Sequence, residues 1–339
     1  MQRLFDPAST ASCGTVPTAF PKHEQAAAPA NSDAALAALL QHLRDEAYEF
    51  TTVTPTTHTR VLANRRGREA LCLRDVFGWS LPFAARALPP DLLDSLMQGG
   101  VLAREDDRLF RSRVRVASFG GDLFLHSAFP TVGHDAVFFG PDTCRFLNLV
   151  RDHLPAPATG QPLRIADVGC GSGAGGIVAA RLRVGASVAL GDINPLALRY
   201  AGINAAHAGI HAGLALGDAL AAFTGEFDVV LCNPPYLDDD AGRAYRHGGG
   251  DLGRALGVRI GGEALKRLAP GGRLILYTGV AIVDGVDHFI RELEPALGEA
   301  GCTYTYAEID PDVFGEELER PVYRQADRIA AVGLVAVKA

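Results

Sequence analysis

The stretch Leu163-Arg-Ile-Ala-Asp-Val-Gly-Cys-Gly-Ser-Gly-Ala-Gly-Gly-Ile-Val178 constrains this chain most. Ile165 to Val168 reads as a buried strand, and glycines follow at 169, 171, 173, 175 and 176. Ile177 to Arg183 then has the spacing of a helix. Glycine lets backbone bend sharply and lets a ligand come close, and the start of a helix offers free N–H groups. The unit is either a nucleotide-type site or a plain glycine turn between strand and helix, and the turn alone does not choose.

The chain has 339 residues, enough for roughly two domains. No apolar run approaches the roughly 20 residues that span a bilayer, and Met1-Gln-Arg-Leu-Phe-Asp6 lacks a signal-peptide apolar region. The six cysteines (13, 72, 144, 170, 232, 302) form no C-x-x-C pair. They read as buried thiols in a reducing compartment, so the expectation is a cytoplasmic protein with no structural metal and no membrane segment. The net charge of −7 is uneven. Residues 35–125 hold 12 Arg against 11 Asp plus Glu, and residues 126–339 hold 18 Lys plus Arg against 25 Asp plus Glu. An acidic second half argues against broad phosphate binding there.

Residues 1–31 are rich in Ala, Pro, Ser and Thr without periodicity and read as a disordered tail. Residues 32–128 read as an N-terminal recognition domain. Ser32-Asp33 opens a helix, and Asp91 to Met97 is another, ended by Gly99-Gly100. Two short strands follow, about Val101-Leu102 and Arg108 to Arg111, around the turn Glu105-Asp106-Asp107. Helix, glycine, strand, acidic turn, strand resembles a winged-helix layout. Arg60, Arg65, Arg66 and Arg68 could serve recognition there, or merely solvate a surface in company with nearby acids. Trp79 reads as a core anchor rather than a stacking platform. Arg113 to Ser118 and Asp122 to His126 alternate as paired strands around Gly120-Gly121. Phe138 to Thr143 precedes a helix expected at Cys144 to His153, with Asp142 or Thr143 placed as its cap.

Residues 129–339 read as one α/β domain, in which strands and helices alternate from 163 onward. Strands are expected at Val188–Ile193, Gly213–Asp218, Phe227–Cys232, Arg273–Thr278, Cys302–Ile309 and Ala330–Val337. Helices are expected at Pro195–His207, capped by Asn194, at about 255–269 and at Val286–Ala300. That pattern gives a doubly wound, seven-stranded Rossmann-like sheet. Ligands bind at the strand ends of such sheets. Asp192 ends the second strand, where a carboxylate can take ribose hydroxyls; Asp218 ends the third, placed to accept from an adenine amino group. A strand-end Asp is often only a cap, but together with the glycine loop these two describe a pocket for an adenosyl group.

Asn233-Pro234-Pro235-Tyr236 follows the fourth strand directly. Here the chain resembles the class I S-adenosylmethionine-dependent methyltransferases, and within them the amino-methylating group with an Asn-Pro-Pro-Tyr motif. The resemblance covers about residues 135–339. It implies S-adenosyl-L-methionine as cofactor, held by Asp167, Gly169, Cys170, Gly171, Gly173, Asp192, Ile193, Asp218, Ala219 and Asn233. It also implies that Asn233, Pro234, Pro235 and Tyr236 present the methyl-accepting nitrogen, with no metal. An amide or base –NH2 is a poor nucleophile because its lone pair is delocalised. The Asn233 side-chain oxygen and the Pro234 carbonyl can each accept one of its N–H bonds and stabilise the positive charge that grows on nitrogen. Prolines hold that carbonyl in place, and Tyr236 is expected to stack on the planar group. His247, the nearest histidine after the motif, reads as a solvated loop residue rather than a base.

Two acceptor classes share this motif: the glutamine of translation release factors, as in HemK-type enzymes, and base amino groups of ribosomal RNA or DNA. The acidic second half, the Tyr at 236 and Gly248-Gly-Gly-Asp-Leu-Gly253, similar to a HemK-type Gly-Gly-x-Asp-Gly segment, favour glutamine. Phe139-Gly-Pro-Asp-Thr143 partly resembles that type's Pro-rich segment but lacks its Arg and Glu. The winged-helix-like front departs from the type too, and a front domain with a Phe-rich segment also suits the ribosomal RNA group. A non-catalytic, cofactor-sensing regulator is a further alternative; such a sensor would need the glycine loop and Asp192 but not the amine acceptors.

Overall fold

The computed structural model describes residues 32–156 and 162–339; the tail expected at 1–31, with Cys13, lies outside the described residues. The front unit holds helices α1 (Ser32–Asp45), α2 (Pro55–Asn64) and α3 (Leu73–Phe77), then strand β1 (Phe83–Ala84), helix α4 (Pro90–Gln98) and strands β2 (Leu102–Arg104) and β3 (Leu109–Ser112). Leu36, Leu39, Leu40 and Leu43 of α1 recur at i, i+3, i+4 and i+7, and all are buried. β3 lies between β1 and β2 in an antiparallel sheet. Asp106 closes the acidic turn, its carboxylate accepting the N–H groups of Arg108 and Leu109 at 2.8 Å each.

A hairpin of β4 (Val114–Phe119) and β5 (Asp122–Ser127) joins this unit to the rest, turning through Gly120 and Gly121 at positive φ. Alternation gives the hairpin two apolar faces. Val114, Val116, Leu123 and Leu125 join the front core, which also takes in Ala197 and Tyr200. Ala117 and Phe124 join the core of the larger domain.

That domain runs α5 (Pro141–His153), β6 (Arg164–Val168), α6 (Ala174–Leu182), β7 (Ser187–Asp192), α7 (Pro195–His207), β8 (Ala212–Leu216), β9 (Phe227–Cys232), α8 (Ala255–Lys266), β10 (Leu268–Val283), β11 (Val286–Asp287), α9 (His288–Glu299), β12 (Cys302–Asp310) and β13 (Arg328–Lys338). The sheet order is β12-β13-β10-β9-β6-β7-β8, with β11 paired to β10 off that path. β10, β9, β6, β7 and β8 are parallel; β13 is antiparallel to β10 and β12. This is the expected doubly wound α/β sheet, seven strands on one path. The order reverses between β6 and β9, so a crevice opens past their carboxyl ends.

Several expectations are corrected. The helix expected from Cys144 begins at Pro141, because Gly140 is the N-cap and proline is at home in a first turn. Thr143 does cap, accepting the Gly140 N–H at 3.2 Å; Asp142 points elsewhere. The strand expected at Arg273–Thr278 runs on to Val283, because β13 pairs with it continuously from Arg273 to Ile282. Of the described cysteines, Cys170 and Cys232 are buried, Cys144 and Cys302 are partly buried, and Cys72, expected as a buried thiol, is exposed. Among the described residues no helix is long and apolar enough to cross a membrane, and no group of three or more metal-ligating side chains gathers.

Candidate active site

Gly169, Gly171 and Gly173 all lie at positive φ, which carries the chain from β6 round into α6. Gly173 is the α6 N-cap, and a Cβ there would lie 2.9 Å from that of Ala201. At Gly176 a Cβ would come within 2.4 Å of Leu190, so α6 rests directly on β7. Two carboxylates hold this loop from below. Asp167 accepts the Gly176 N–H at 2.8 Å, and burial pushes its carboxyl up to about 7. Asp192 accepts the N–H of Gly171 and of Asn194, at 2.9 Å each, and burial raises it too.

The loop borders a cavity of about 200 Å³. All of the sequence-derived cofactor residues except Gly173 line it: Asp167, Gly169, Cys170, Gly171, Asp192, Ile193, Asp218, Ala219 and Asn233. Gly173 sits behind, as the helix cap. Ile193 is 49 % exposed, an apolar surface beside Asp192. Asp218 lies just past β8 and pairs with Arg259 at 2.8 Å. Asn233, Pro234, Pro235 and Tyr236, just past the end of β9, line the same cavity. A loop with two glycine backbones open on their Cβ sides, a carboxylate at the neighbouring strand end and an apolar patch beside it fit an adenosyl group.

Tyr236 is not placed as expected. Its ring is 9 % exposed, packed so tightly on Gly279 that a Cβ there would lie 2.1 Å from it, and edge-on to Phe314. Its hydroxyl donates to Asp142 at 2.7 Å, and burial raises its pKa far above the usual range. The ring is thus packed on Gly279 and Phe314 and tied at its hydroxyl, while Tyr236 still lines the cavity. Phe138, Tyr245 and Phe314 are partly exposed aromatic rings lining the cavity, the first two stacked at 5.5 Å. Phe138 opens the Phe-rich segment noted in the sequence, whereas no sequence signal marked Tyr245. His247 is not solvated either: it is half-buried, and its Nδ1 accepts the Asp239 N–H at 3.2 Å. Asp239, clasped by Arg243, is held down at about 2. Of the four arginines at 60–68, only Arg65 has an acid within reach among the described residues, Asp75 at 3.0 Å. Trp79 is half-buried, edge-on to Phe50 and under the Arg65 guanidinium.

A doubly wound sheet with an adenosyl pocket at its switch point, facing an Asn-Pro-Pro-Tyr turn, defines the class of S-adenosylmethionine-dependent methyltransferases. The methyltransferase small domain family model matches residues 147–281. A ribosomal protein uL3 glutamine methyltransferase from Bordetella pertussis is 30 % identical over 215 residues, 57 % of this chain and 71 % of that protein. A release factor glutamine methyltransferase from Deinococcus radiodurans is 31 % identical over 45 % of this chain and 55 % of its own length. A ribosomal RNA small subunit methyltransferase C from Chromohalobacter salexigens is 32 % identical over 52 % and 46 %. Apart from the uL3 enzyme, the chain spans about half the length of these relatives. The chain belongs to the methyltransferase small domain family of S-adenosylmethionine-dependent methyltransferases.

Proposed function

We propose that the protein methylates the side-chain amide nitrogen of a glutamine in a protein of the translation machinery, in the cytoplasm. The observation that carries this reading is the Asn233-Pro-Pro-Tyr236 turn opening onto the same cavity as the glycine loop and Asp192. S-adenosylmethionine supplies an electrophilic methyl on a sulfonium. The Gly169–Gly171 backbone would border its seat, Asp192 would take ribose hydroxyls, and Ile193, Asp218 and Ala219 would hold the adenine. At the motif the Asn233 amide oxygen and the Pro234 carbonyl accept the two N–H bonds of the acceptor. Both acceptors gain strength as positive charge grows on that nitrogen, so they favour the transition state over the ground state. Alignment of donor and nitrogen supplies the rest, since the reaction needs no covalent intermediate and the proton can leave to water. The uL3 and release factor relatives support a glutamine, as do Tyr236 and the glycine segment that packs against it: a Cβ at Gly253 would lie 2.1 Å from the Tyr236 carbonyl oxygen.

A base amino group in ribosomal RNA is the second reading. Residues 50–68 carry four arginines and no acid, a stretch suited to phosphates, and a ribosomal RNA relative matches the chain. Transfer of labelled methyl to a release factor with its Gly-Gly-Gln loop, to uL3, to ribosomal RNA and to double-stranded DNA separates these readings. Label in either protein supports the first, and label in RNA alone replaces it with the second. Tight cofactor binding without label in any target points to a sensor.

A further inference from the structure

We infer that Asp142 is a positioning residue for the methyl-accepting motif and acts through the Tyr236 hydroxyl; this rests on the N-methyltransferase reading above. Asp142 lies in the first turn of α5, only 7 % exposed, and is the convergence point of a buried network. Its Oδ2 accepts from the Tyr236 hydroxyl at 2.7 Å. Its Oδ1 accepts from the Tyr277 hydroxyl at 2.7 Å and from the Arg145 guanidinium at 3.0 Å. Arg145 continues to Asp310, at 2.6 Å, on the edge strand β12. One carboxylate thus ties α5, the motif, the middle of β10 and the sheet edge together.

The two carboxylate oxygens have different work. Tyr277 and Arg145 fix Oδ1, while Oδ2 is spent on the motif. The link matters because Pro234 and Pro235 have fixed φ, leaving few torsions between the Asn233 side chain and Tyr236. With those torsions restricted, the direction of the Pro234 carbonyl depends on where Tyr236 is held. Tyr236 is clamped on its other side by Gly248, where a Cβ would lie 2.7 Å from the Tyr236 Cα. An ionised carboxylate can only accept, and it sits at the positive end of α5, so it suits a site where every neighbour donates. Asparagine there would keep its amide oxygen for the two donors, Tyr277 and Arg145, and turn its –NH2 toward the Tyr236 hydroxyl, so that hydroxyl could no longer donate.

The test uses the full chain and whichever of release factor, uL3 or ribosomal RNA takes labelled methyl from the wild type. Asp142→Asn is expected to lower kcat about tenfold or more, with acceptor KM and the calorimetric cofactor Kd changed less than about threefold. Tyr236→Phe is expected to lower kcat by a similar factor, and the double variant no further, because both break one link. Tyr277→Phe leaves that link in place and is expected to cost far less turnover. Additive losses, or turnover in Asp142→Asn equal to wild type, overturn the inference and leave Asp142 a packing residue. Should Asp142→Asn fail to fold, the tyrosine pair decides: a loss confined to Tyr236→Phe supports the role, and equal losses overturn it. A wild type that labels none of these three, nor double-stranded DNA, defeats the underlying reading, and this inference with it.

Discussion

Replacing Asn204 by alanine tests how the front hairpin is fastened to the cofactor loop. Asn204 is fully buried in α7. Its Oδ1 accepts the Leu125 N–H at 2.9 Å, and its Nδ2 donates to the Leu125 carbonyl at 3.3 Å and the Ser172 carbonyl at 2.9 Å. The side chain therefore stands in for a further strand beside β5 and reaches the glycine loop at once. Alanine leaves three backbone groups without partners in a dry interior, each costing about 1–3 kcal/mol. The 3.3 Å bond is the weakest, and alanine returns roughly 0.7 kcal/mol of helix propensity, so the net loss is about 3–5 kcal/mol. At about 2–4 °C per kcal/mol for a domain near this size, the melting temperature should fall by roughly 6–20 °C. Circular dichroism melts at fixed pH measure this directly. Asn204→Leu restores volume but not the bonds, so it should recover only a minor part of the loss. A melting temperature for Asn204→Ala within about 2 °C of wild type would refute the reasoning, since the three bonds could not then be holding the two units together.

Asn233→Ala should leave cofactor affinity within a few-fold and lower turnover by about 10²-fold or more, as expected for an acceptor engaged chiefly in the transition state; turnover near wild type in the labelled-methyl assay removes that role. Asp192→Ala should weaken cofactor binding measured by calorimetry, and an unchanged Kd counts against the ribose assignment. His126 is fully buried, neither ring nitrogen has a hydrogen-bond partner among the described residues, and burial holds its pKa well below the usual histidine value. His58, whose Nδ1 lies 3.2 Å from the buried Arg115, is held at about 4 by burial and that charge. The unfolded chain takes up these protons near pH 6.5 and the folded chain refuses them, so this part of the stability is lost as pH falls from about 6.5 toward 4. Asp167 and Asp192, raised by burial, pull the opposite way, so the histidine effect is read as a difference. His126→Leu should raise the melting temperature more at pH 5 than at pH 7.5, and an equal gain at both counts against it.

The strands and turns around the glycine loop were legible because their signals are local. β6, β7 and β9 are apolar runs cut off by Gly, Asp or Asn, so their ends fall within a residue or two of expectation. Asn194-Pro195 fixed the start of α7, and the Asn194 side chain does accept the Leu196 N–H. The loop glycines announce the positive φ values they adopt. What failed to show depends on residues far apart in the chain. Asp142 meets Tyr236 across 94 positions and Tyr277 across 135, so local rules saw only a possible helix cap. Tyr236 reads as a free ring until β10 is known to run on past Thr278 and lay Gly279 beneath it. Asn204 looks like one more polar residue in a helix, because the hairpin it grips lies 79 positions earlier.

The same distinction bears on what the front unit does. The wall of the cavity facing the motif is pieced together from the chain that leaves β5 and from the loop after Tyr236. The Tyr245 hydroxyl donates to the Thr131 carbonyl at 2.8 Å, and the Asn194 amide donates to the Asp135 carbonyl at 2.7 Å. Phe138, stacked on Tyr245, folds over Gly140, where a Cβ would meet its ring at 2.5 Å. This wall continues into the front unit through β5, and the front core rests on α7, which starts two residues after Ile193. A macromolecule docking on the front unit therefore meets a surface tied to both halves of the pocket, through the wall on the acceptor side and through α7 on the cofactor side. The glycine loop and Asp192 are placed by the sheet itself, whereas the wall that carries Phe138 and Tyr245 is assembled from two distant segments. On the proposed reading, substitutions in Phe138, Tyr245 or the hairpin should therefore move acceptor KM before they move cofactor affinity.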